Sequence, residues 1–328
     1  MRTMRVLAGG FGPEWEVREV EMPIPGPRQL LIRVRAAALN RADLYMLEGS
    51  YQPNTKTQTV YTAGLELAGE VEAVGTDAQD FAVGERVMGS TLGAFAAYAL
   101  LDHRHAIAVP ESLRWIEAAA LPVGLSTAHD ALVTQAGVKA GDSVLVVGAT
   151  SSVGLLAVEL ARALGADPVI ATTTSGRKGG NLKAAGAHFV INTATENLAD
   201  GVNGATGGVG VDIALDHVGG QLFAELFMAT RIGGTIVNIG RLAGPQCTIN
   251  LDQLSFRRLN VRGTTFSVRS AEERAEVCAA LIPEVLPAVA AGRLKPVIDT
   301  VFRFEEAQRA AERMRSNEAV GKLVLELA

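Results

Sequence analysis

The segment Asp142-Ser-Val-Leu-Val-Val-Gly-Ala-Thr-Ser-Ser-Val-Gly154 has the residue types and order of a phosphate-binding turn. Residues 144–147 form a short β-branched run suited to a strand buried on both faces, and Gly148 breaks it into a turn of small residues. A helix starts near Val153, with Leu156, Leu160 and Leu164 at helical spacing and Gly165 as its stop. Strand, tight turn and helix in this order aim free backbone N–H groups and the positive end of a helix dipole at a pyrophosphate. Ser151, with Ser152 beside it, replaces the middle glycine of the usual fingerprint, and both hydroxyls can donate to phosphate oxygens.

The next predicted strand, residues 168–172, ends about 20 residues beyond the turn, where an enzyme selecting NADH carries an acid for the ribose hydroxyls. No acid stands there. Thr172, Thr174 and Ser175 offer hydroxyls, and Arg177 and Lys178 offer two positive charges, the chemistry that a 2′-phosphate requires. NADPH is therefore the expected cofactor; the competing reading of the two cations is a solvated helix start. Gly179 and Gly180 follow, and inside a helix each would cost about 1 kcal/mol, so a segment that orders on cofactor binding is expected.

The elements that must position these residues fall into two patterns. In the first third, Leu30, Ile32 and Val34 alternate with Leu31, Arg33 and Arg35 after the turn formed by Pro23, Pro25, Gly26 and Pro27, and residues 64–75 again mix glycine with alternating apolar positions. A short-stranded β-barrel is expected. From about Gly124, apolar runs at 144–147, 169–172, 189–191, 213–215 and 236–239 alternate with helical stretches, which predicts an α/β doubly wound parallel sheet. Beyond Gly263 come a helical region at 271–291 interrupted by Pro283 and Pro287, a strand at 297–302, a helix at 305–314 and a strand at 322–327, read as a return to the first domain.

Composition narrows the class. The 328 residues have a prior of about two domains. A net charge of −5 with scattered basic residues leaves no nucleic-acid footprint. Cys247 and Cys278 are too few for a disulfide framework or a thiolate metal site. The first residues lack the long apolar core of a signal peptide, and apolar tracts such as 90–101 fall short of the roughly 18 to 20 residues of a membrane span. A cytoplasmic protein is expected.

Several motifs then carry a resemblance over nearly the whole chain: Ala38-Leu-Asn-Arg-Ala-Asp43, Gly64-Leu-Glu-Leu-Ala-Gly69, Leu121-Pro-Val-Gly-Leu-Ser-Thr-Ala128, Leu215-Asp-His-Val-Gly219, Gly233-Gly-Thr-Ile-Val-Asn-Ile-Gly240, Gly292-Arg-Leu-Lys-Pro-Val-Ile298 and Val320-Gly-Lys322. In order and spacing they resemble the medium-chain dehydrogenase/reductase superfamily, most closely its zinc-free, ζ-crystallin-like quinone oxidoreductase branch. The resemblance implies a GroES-like barrel domain from residues 1–123 and 264–328, a Rossmann domain from 124–263, and an active site in the cleft between them. Zinc-dependent members place a cysteine near Asn40 and a histidine just before the position of Glu66; here there is no thiol and Leu65 stands in the histidine's place. No metal is expected.

Without a Lewis acid, the expected acceptor is already electrophilic, a quinone or a conjugated enone. The resemblance puts Asn40, Tyr45 and Tyr51 near the nicotinamide. Tyr51 is the leading donor candidate, with a packing tyrosine and a proton from water as the alternative, and Asn40 joins it in the catalytic pair. Thr127 is implied beside the nicotinamide, Ser151, Ser152, Val153 and Gly154 at the pyrophosphate, and Thr172, Ser175, Arg177 and Lys178 at the 2′-phosphate. Thr193, Ile239, Gly240, Arg241, Phe266 and Lys322 fall at positions that commonly line the cofactor.

His217 stands where the family has a small polar residue, and either packs against the cofactor or relays a proton. His103 and His105 have no third ligand in sequence, His129 takes an aromatic position, and the cysteines have no catalytic context. Two further readings stay open: an enoyl-thioester or biosynthetic enone reductase, in which Arg41, Arg241 or Arg269 binds an anionic substrate, and a non-catalytic NADPH-binding structural or sensing protein. Residues 235–266 are expected to supply sheet-edge strands, which favours a homodimer.

Overall fold

The computed structural model describes residues 2–8, 15–48, 61–78 and 80–327. Among them, sixteen strands follow in chain order: β1 (Arg2–Ala8), β2 (Glu16–Glu21), β3 (Gln29–Ala38), β4 (Tyr61–Thr62), β5 (Glu66–Val74), β6 (Arg86–Ser90), β7 (Tyr98–Asp102), β8 (Ala106–Ala108), β9 (Val144–Val147), β10 (Val169–Thr173), β11 (Phe189–Asn192), β12 (Val211–Asp216), β13 (Thr230–Asn238), β14 (Asn260–Gly263), β15 (Ile298–Arg303) and β16 (Lys322–Glu326). The chain divides into two compact units, Met1–Val123 with Arg269–Ala328, and Gly124–Val268.

The first unit is built on β3. Its neighbours are β5 and the C-terminal strand β16, and β7 also pairs with it, within the order β15-β16-β3-β5-β6-β8; β1, β2 and β4 form a separate small sheet. Alternation along β3 puts Leu30, Ile32 and Val34 into the core, while Arg33 reaches Glu70 across the β3/β5 register at 2.5 Å. Leu31 is buried too, so β3 is covered more fully than a half-exposed strand. The core gathers Trp15, Leu44, Leu67, Val87, Phe95, Leu101, Phe304 and Leu323, drawing on both ends of the chain. Helix Ala271–Ala290 runs through Pro283 and Pro287 without a break, contrary to the expected interruption. Burial of Val277, Leu281, Val285 and Val289 along one face offsets the two missing N–H donors.

The second unit is a six-stranded sheet, β11-β10-β9-β12-β13-β14, in which every pair is parallel. Numbered from β9, the order is 3-2-1-4-5-6, the Rossmann arrangement, and it reverses direction between β9 and β12. The β9 run Val144–Val147 is wholly buried, as a strand covered on both faces must be. β14 is the sheet edge and exposed throughout, which is why no apolar run announced it. Thr264 belongs with this unit: its amide donates to the Asn238 carbonyl at 3.0 Å and its hydroxyl to Asp130 Oδ2 at 2.5 Å. Among the described residues no helix is long and apolar enough to cross a membrane.

Close backbone approach sets the cost of glycine substitution. A Cβ on Gly69 would lie 2.2 Å from the Arg33 carbonyl oxygen in the neighbouring strand, whereas one on Gly204, in helix Leu198–Ala205, meets nothing within 4 Å. Gly69→Ala should lower stability by about 1–3 kcal/mol and Gly204→Ala should leave it unchanged or raise it by up to about 1 kcal/mol. Urea denaturation of the two variants checks the opposite signs.

Candidate active site

At the C-terminal end of β9, Gly148 takes a φ of +72°, a conformation that favours glycine. Its amide donates to Thr172 Oγ1 at 3.1 Å. Ser151 caps helix Ser152–Ala163: its Oγ accepts from the Gly154 amide at 3.1 Å and donates to the Gly148 carbonyl at 3.0 Å. A Cβ on Gly154 would meet Ala149 Cα at 2.6 Å, so the helix sits directly on the turn only because this residue is glycine. The Ser151 and Thr172 hydroxyls shape the turn from within. Its first-turn amides, at Ser152 and Val153, have no intrahelical acceptor and suit an anion. The Ser151 hydroxyl spends its proton on the Gly148 carbonyl, whereas the Thr172 hydroxyl accepts from the turn and keeps its O–H.

After β10, the Ser175 amide donates to Thr173 Oγ1 at 3.0 Å, and a 3-10 turn, Gly176–Lys178, presents an exposed Arg177 and a half-buried Lys178. Gly179 and Gly180 open the next helix, Gly179–Ala184, rather than interrupting one. No acid lies between Thr172 and Gly180.

At the end of β12, wholly buried Asp216 organises a second loop. Its carboxylate accepts from the amides of Val218 and Gly219 at 2.9 Å each and from Asn238 Nδ2 at 2.8 Å, and its carbonyl accepts from the Ile239 and Gly240 amides at 2.8 and 3.0 Å. A Cβ on Gly240 would lie 2.2 Å from the His217 carbonyl oxygen. Asp216 holds Ile239 and Gly240 against the end of β12, a role that sequence analysis missed although an acid ending an apolar strand before Gly219-Gly220 marks it. Thr127, Thr193 and Phe266 are half-buried in this unit, and Arg241 is exposed.

In the first unit, Asn40 caps helix Arg41–Leu47, its amide donating to Asp43 Oδ2 at 2.7 Å. Pairing of β16 with β3 brings Lys322 to it from the far end of the chain: Lys322 Nζ donates to Asn40 Oδ1 at 2.7 Å and forms an ion pair with Glu66. Asn40 Nδ2 donates to Glu66 Oε1 at 2.9 Å and to the Ala38 carbonyl at 3.4 Å, and Glu66 Oε2 accepts from the Val123 amide at 2.8 Å. Lys322 is 1% exposed and Glu66 0%. Asn40 thus spends both side-chain N–H groups internally and retains one acceptor lone pair. Lys322, expected along the cofactor, is buried with its ammonium on Asn40 and Glu66. Tyr45 lies half-buried on the same helix, and Tyr51 lies outside the described residues. Burial pushes the Asp43 carboxyl up to about 7 despite the Asn40 amide and the Lys322 charge.

Comparison with known proteins agrees with this architecture. The alcohol dehydrogenase GroES-like domain model matches residues 26–111 and the zinc-binding dehydrogenase model residues 152–281. The human quinone oxidoreductase is 33% identical over 99% of this chain and 97% of its own. The chain belongs to the quinone oxidoreductase family of medium-chain dehydrogenases/reductases. Its first unit is the GroES-like domain and its second the Rossmann-like domain of that family. A quinone oxidoreductase structure from Pseudomonas syringae superposes with a TM-score of 0.87 at 29% identity, covering 99% of this chain and 100% of the other. A mycobacterial protein solved with NADPH gives 0.88 at 27%, covering 99% and 100%.

The protein is therefore an oxidoreductase of a family that binds a nicotinamide dinucleotide. The β9 turn fits that group: glycines where a Cβ would collide, a capped helix, and cations one strand on. A zinc ion finds no comparable fit. Among the described residues no three His, Cys, Asp or Glu side chains are grouped to hold a metal, and Glu66 is already paired with an ammonium.

Two measurements check the Lys322 cluster. Lys322→Met strands the Glu66 carboxylate and should cost about 3–5 kcal/mol, with less lost in the Lys322→Met/Glu66→Gln double variant, read by urea denaturation. Because Asp43 holds its proton in the folded state up to about pH 7 against 3.8 for a free carboxyl, its contribution to stability falls as pH rises through that window. Asp43→Asn should flatten the fall, measured as Tm against pH.

Proposed function

We propose that this protein is an NADPH-dependent, zinc-independent reductase that transfers hydride to a quinone or an α,β-unsaturated carbonyl. The observation that carries the cofactor choice is Arg177 and Lys178 on the turn after β10, with no acid between Thr172 and Gly180. Two cations suit a 2′-phosphate, and an NADH site at that position would carry a carboxylate. Zinc independence is supported by Lys322, whose ammonium occupies Glu66.

Bound NADPH supplies the hydride from C4 of its nicotinamide. The residues proposed to hold it act in groups. Ser152 and Val153 present amides to the pyrophosphate, which Gly148 and Gly154 let approach. Ser175, Arg177 and Lys178 take the 2′-phosphate. Thr127, Thr193, Ile239, Gly240, Arg241 and Phe266 line the rest of the dinucleotide, and Tyr45 walls the nicotinamide. Hydride addition to a quinone or enone leaves an oxyanion or enolate that must be neutralised. Tyr51 or a water supplies that proton. Asn40, its amide locked by Glu66 and Lys322, offers one acceptor lone pair to orient the donor.

We further propose a homodimer working in the cytoplasm, paired along the exposed edge strand β14, where Val261 stands 44% exposed and Phe256, at the end of the preceding helix Leu251–Phe256, 81%. Light scattering on the eluting protein reads the subunit number.

The test of function is oxidation of NADPH and of NADH across a panel of quinones, enones and one enoyl thioester. Turnover with NADPH on quinones or enones is expected. Turnover on the thioester alone would move the protein to the acyl-reductase class, and tight NADPH binding without turnover would favour a sensing role. Arg177→Ala/Lys178→Ala should raise Kd for NADPH at least tenfold and leave NADH nearly unchanged; equal losses would overturn the 2′-phosphate assignment.

A further inference from the structure

His217 follows β12 at the point where the sheet order reverses, the place where open α/β sheets bind their ligands. It is 5% exposed. Its Nδ1 lies 2.9 Å from the Val147 carbonyl oxygen, an acceptor, so Nδ1 carries the proton and Nε2 presents a bare lone pair. Burial holds its pKa below the ordinary histidine value, which keeps Nε2 an acceptor at neutral pH. Nε2 is buried and has no hydrogen-bond partner among the described residues. Leaving such an atom unsatisfied is unfavourable, and a donor on a ligand in this crevice would satisfy it.

The chemistry of the missing partner follows. Phosphate oxygens bear no proton, so the pyrophosphate at the neighbouring β9 turn cannot satisfy Nε2. A Rossmann sheet binds one mononucleotide on each half. Arg177 and Lys178 lie after β10 in the first half, which assigns the adenosine end there and leaves the half that begins with β12 to the nicotinamide mononucleotide. That moiety offers ribose hydroxyls and a carboxamide NH2. Resting on the cofactor reading above, we propose that His217 Nε2 accepts a hydrogen bond from a neutral donor of the nicotinamide half, making His217 a positioning residue for the dinucleotide.

Equilibrium binding of NADPH, reduced nicotinamide mononucleotide and 2′,5′-ADP to the full chain and to His217→Phe and His217→Asn tests this. His217→Phe should weaken the first two about tenfold and leave 2′,5′-ADP unchanged, and His217→Asn, which keeps an acceptor, should recover most of the loss. The 3-acetylpyridine analogue of the cofactor separates the two donors: a persisting penalty names the ribose hydroxyl, and a vanished one names the carboxamide. Equal binding of NADPH by His217→Phe and the parent protein, or a matching loss for 2′,5′-ADP, would overturn the assignment. Should the 2′-phosphate reading alone fail, NADH replaces NADPH in the same comparison, since both share the nicotinamide half. If His217→Phe does not fold, the 15N resonance of Nε2 in the parent protein decides: it moves upfield on cofactor binding if Nε2 accepts a hydrogen bond, and stays in place otherwise.

Discussion

A buried ammonium between a carboxylate and an amide joins the two ends of the chain in the first unit. Lys322, Glu66 and Asn40 come from three distant stretches of chain, and none would be tolerable in an apolar interior without the other two. The cluster ties the C-terminal strand to the first half of the barrel and fixes the rotation of the Asn40 amide. The Leu39 amide donates to the Leu323 carbonyl at 3.0 Å alongside it, so backbone and side chains close the sheet at the same place. Asp43 is held nearby by the Asn40 amide, and its raised pKa records how dry the surroundings are.

The second unit depends on close approach rather than on charge. Gly148, Gly154 and Gly240 each occupy a point where a side chain would strike a neighbour, and their absence of Cβ lets strand, turn and helix converge. Asp216 works at the end of β12 by accepting four backbone amides and the Asn238 side-chain amide through its carboxylate and backbone carbonyl. Both devices spend polar groups on shaping a turn. The first-turn amides at Ser152 and Val153 are left without an intrahelical acceptor.

Much of this was legible from local pattern. The β9 turn, the cations after β10 and the strand–helix alternation are written in contiguous residues, because their geometry is set by near neighbours. Other assignments shifted once partners were visible. The Thr172 hydroxyl, read as a phosphate ligand, also accepts from the Gly148 amide of the β9 turn and keeps its O–H as a donor. Pro283 and Pro287 read as breaks, yet the buried face of the helix outweighs two lost donors. β14 carried no signal because an exposed edge strand needs no apolar run.

By itself, the sequence determined that a parallel nucleotide-binding sheet follows a barrel-like first domain, and that no acid stands where an NADH site carries one. These are matters of periodicity and of residue type at a fixed spacing, which the chain encodes within one strand–turn–helix unit. Only the tertiary structure decided that Lys322 meets Asn40 across 282 positions, that Glu66 belongs to the same cluster, and that His217 Nε2 has no partner among the described residues. A buried polar group takes its role from what packs around it, and those neighbours are brought by sheet pairing between segments that share no local pattern.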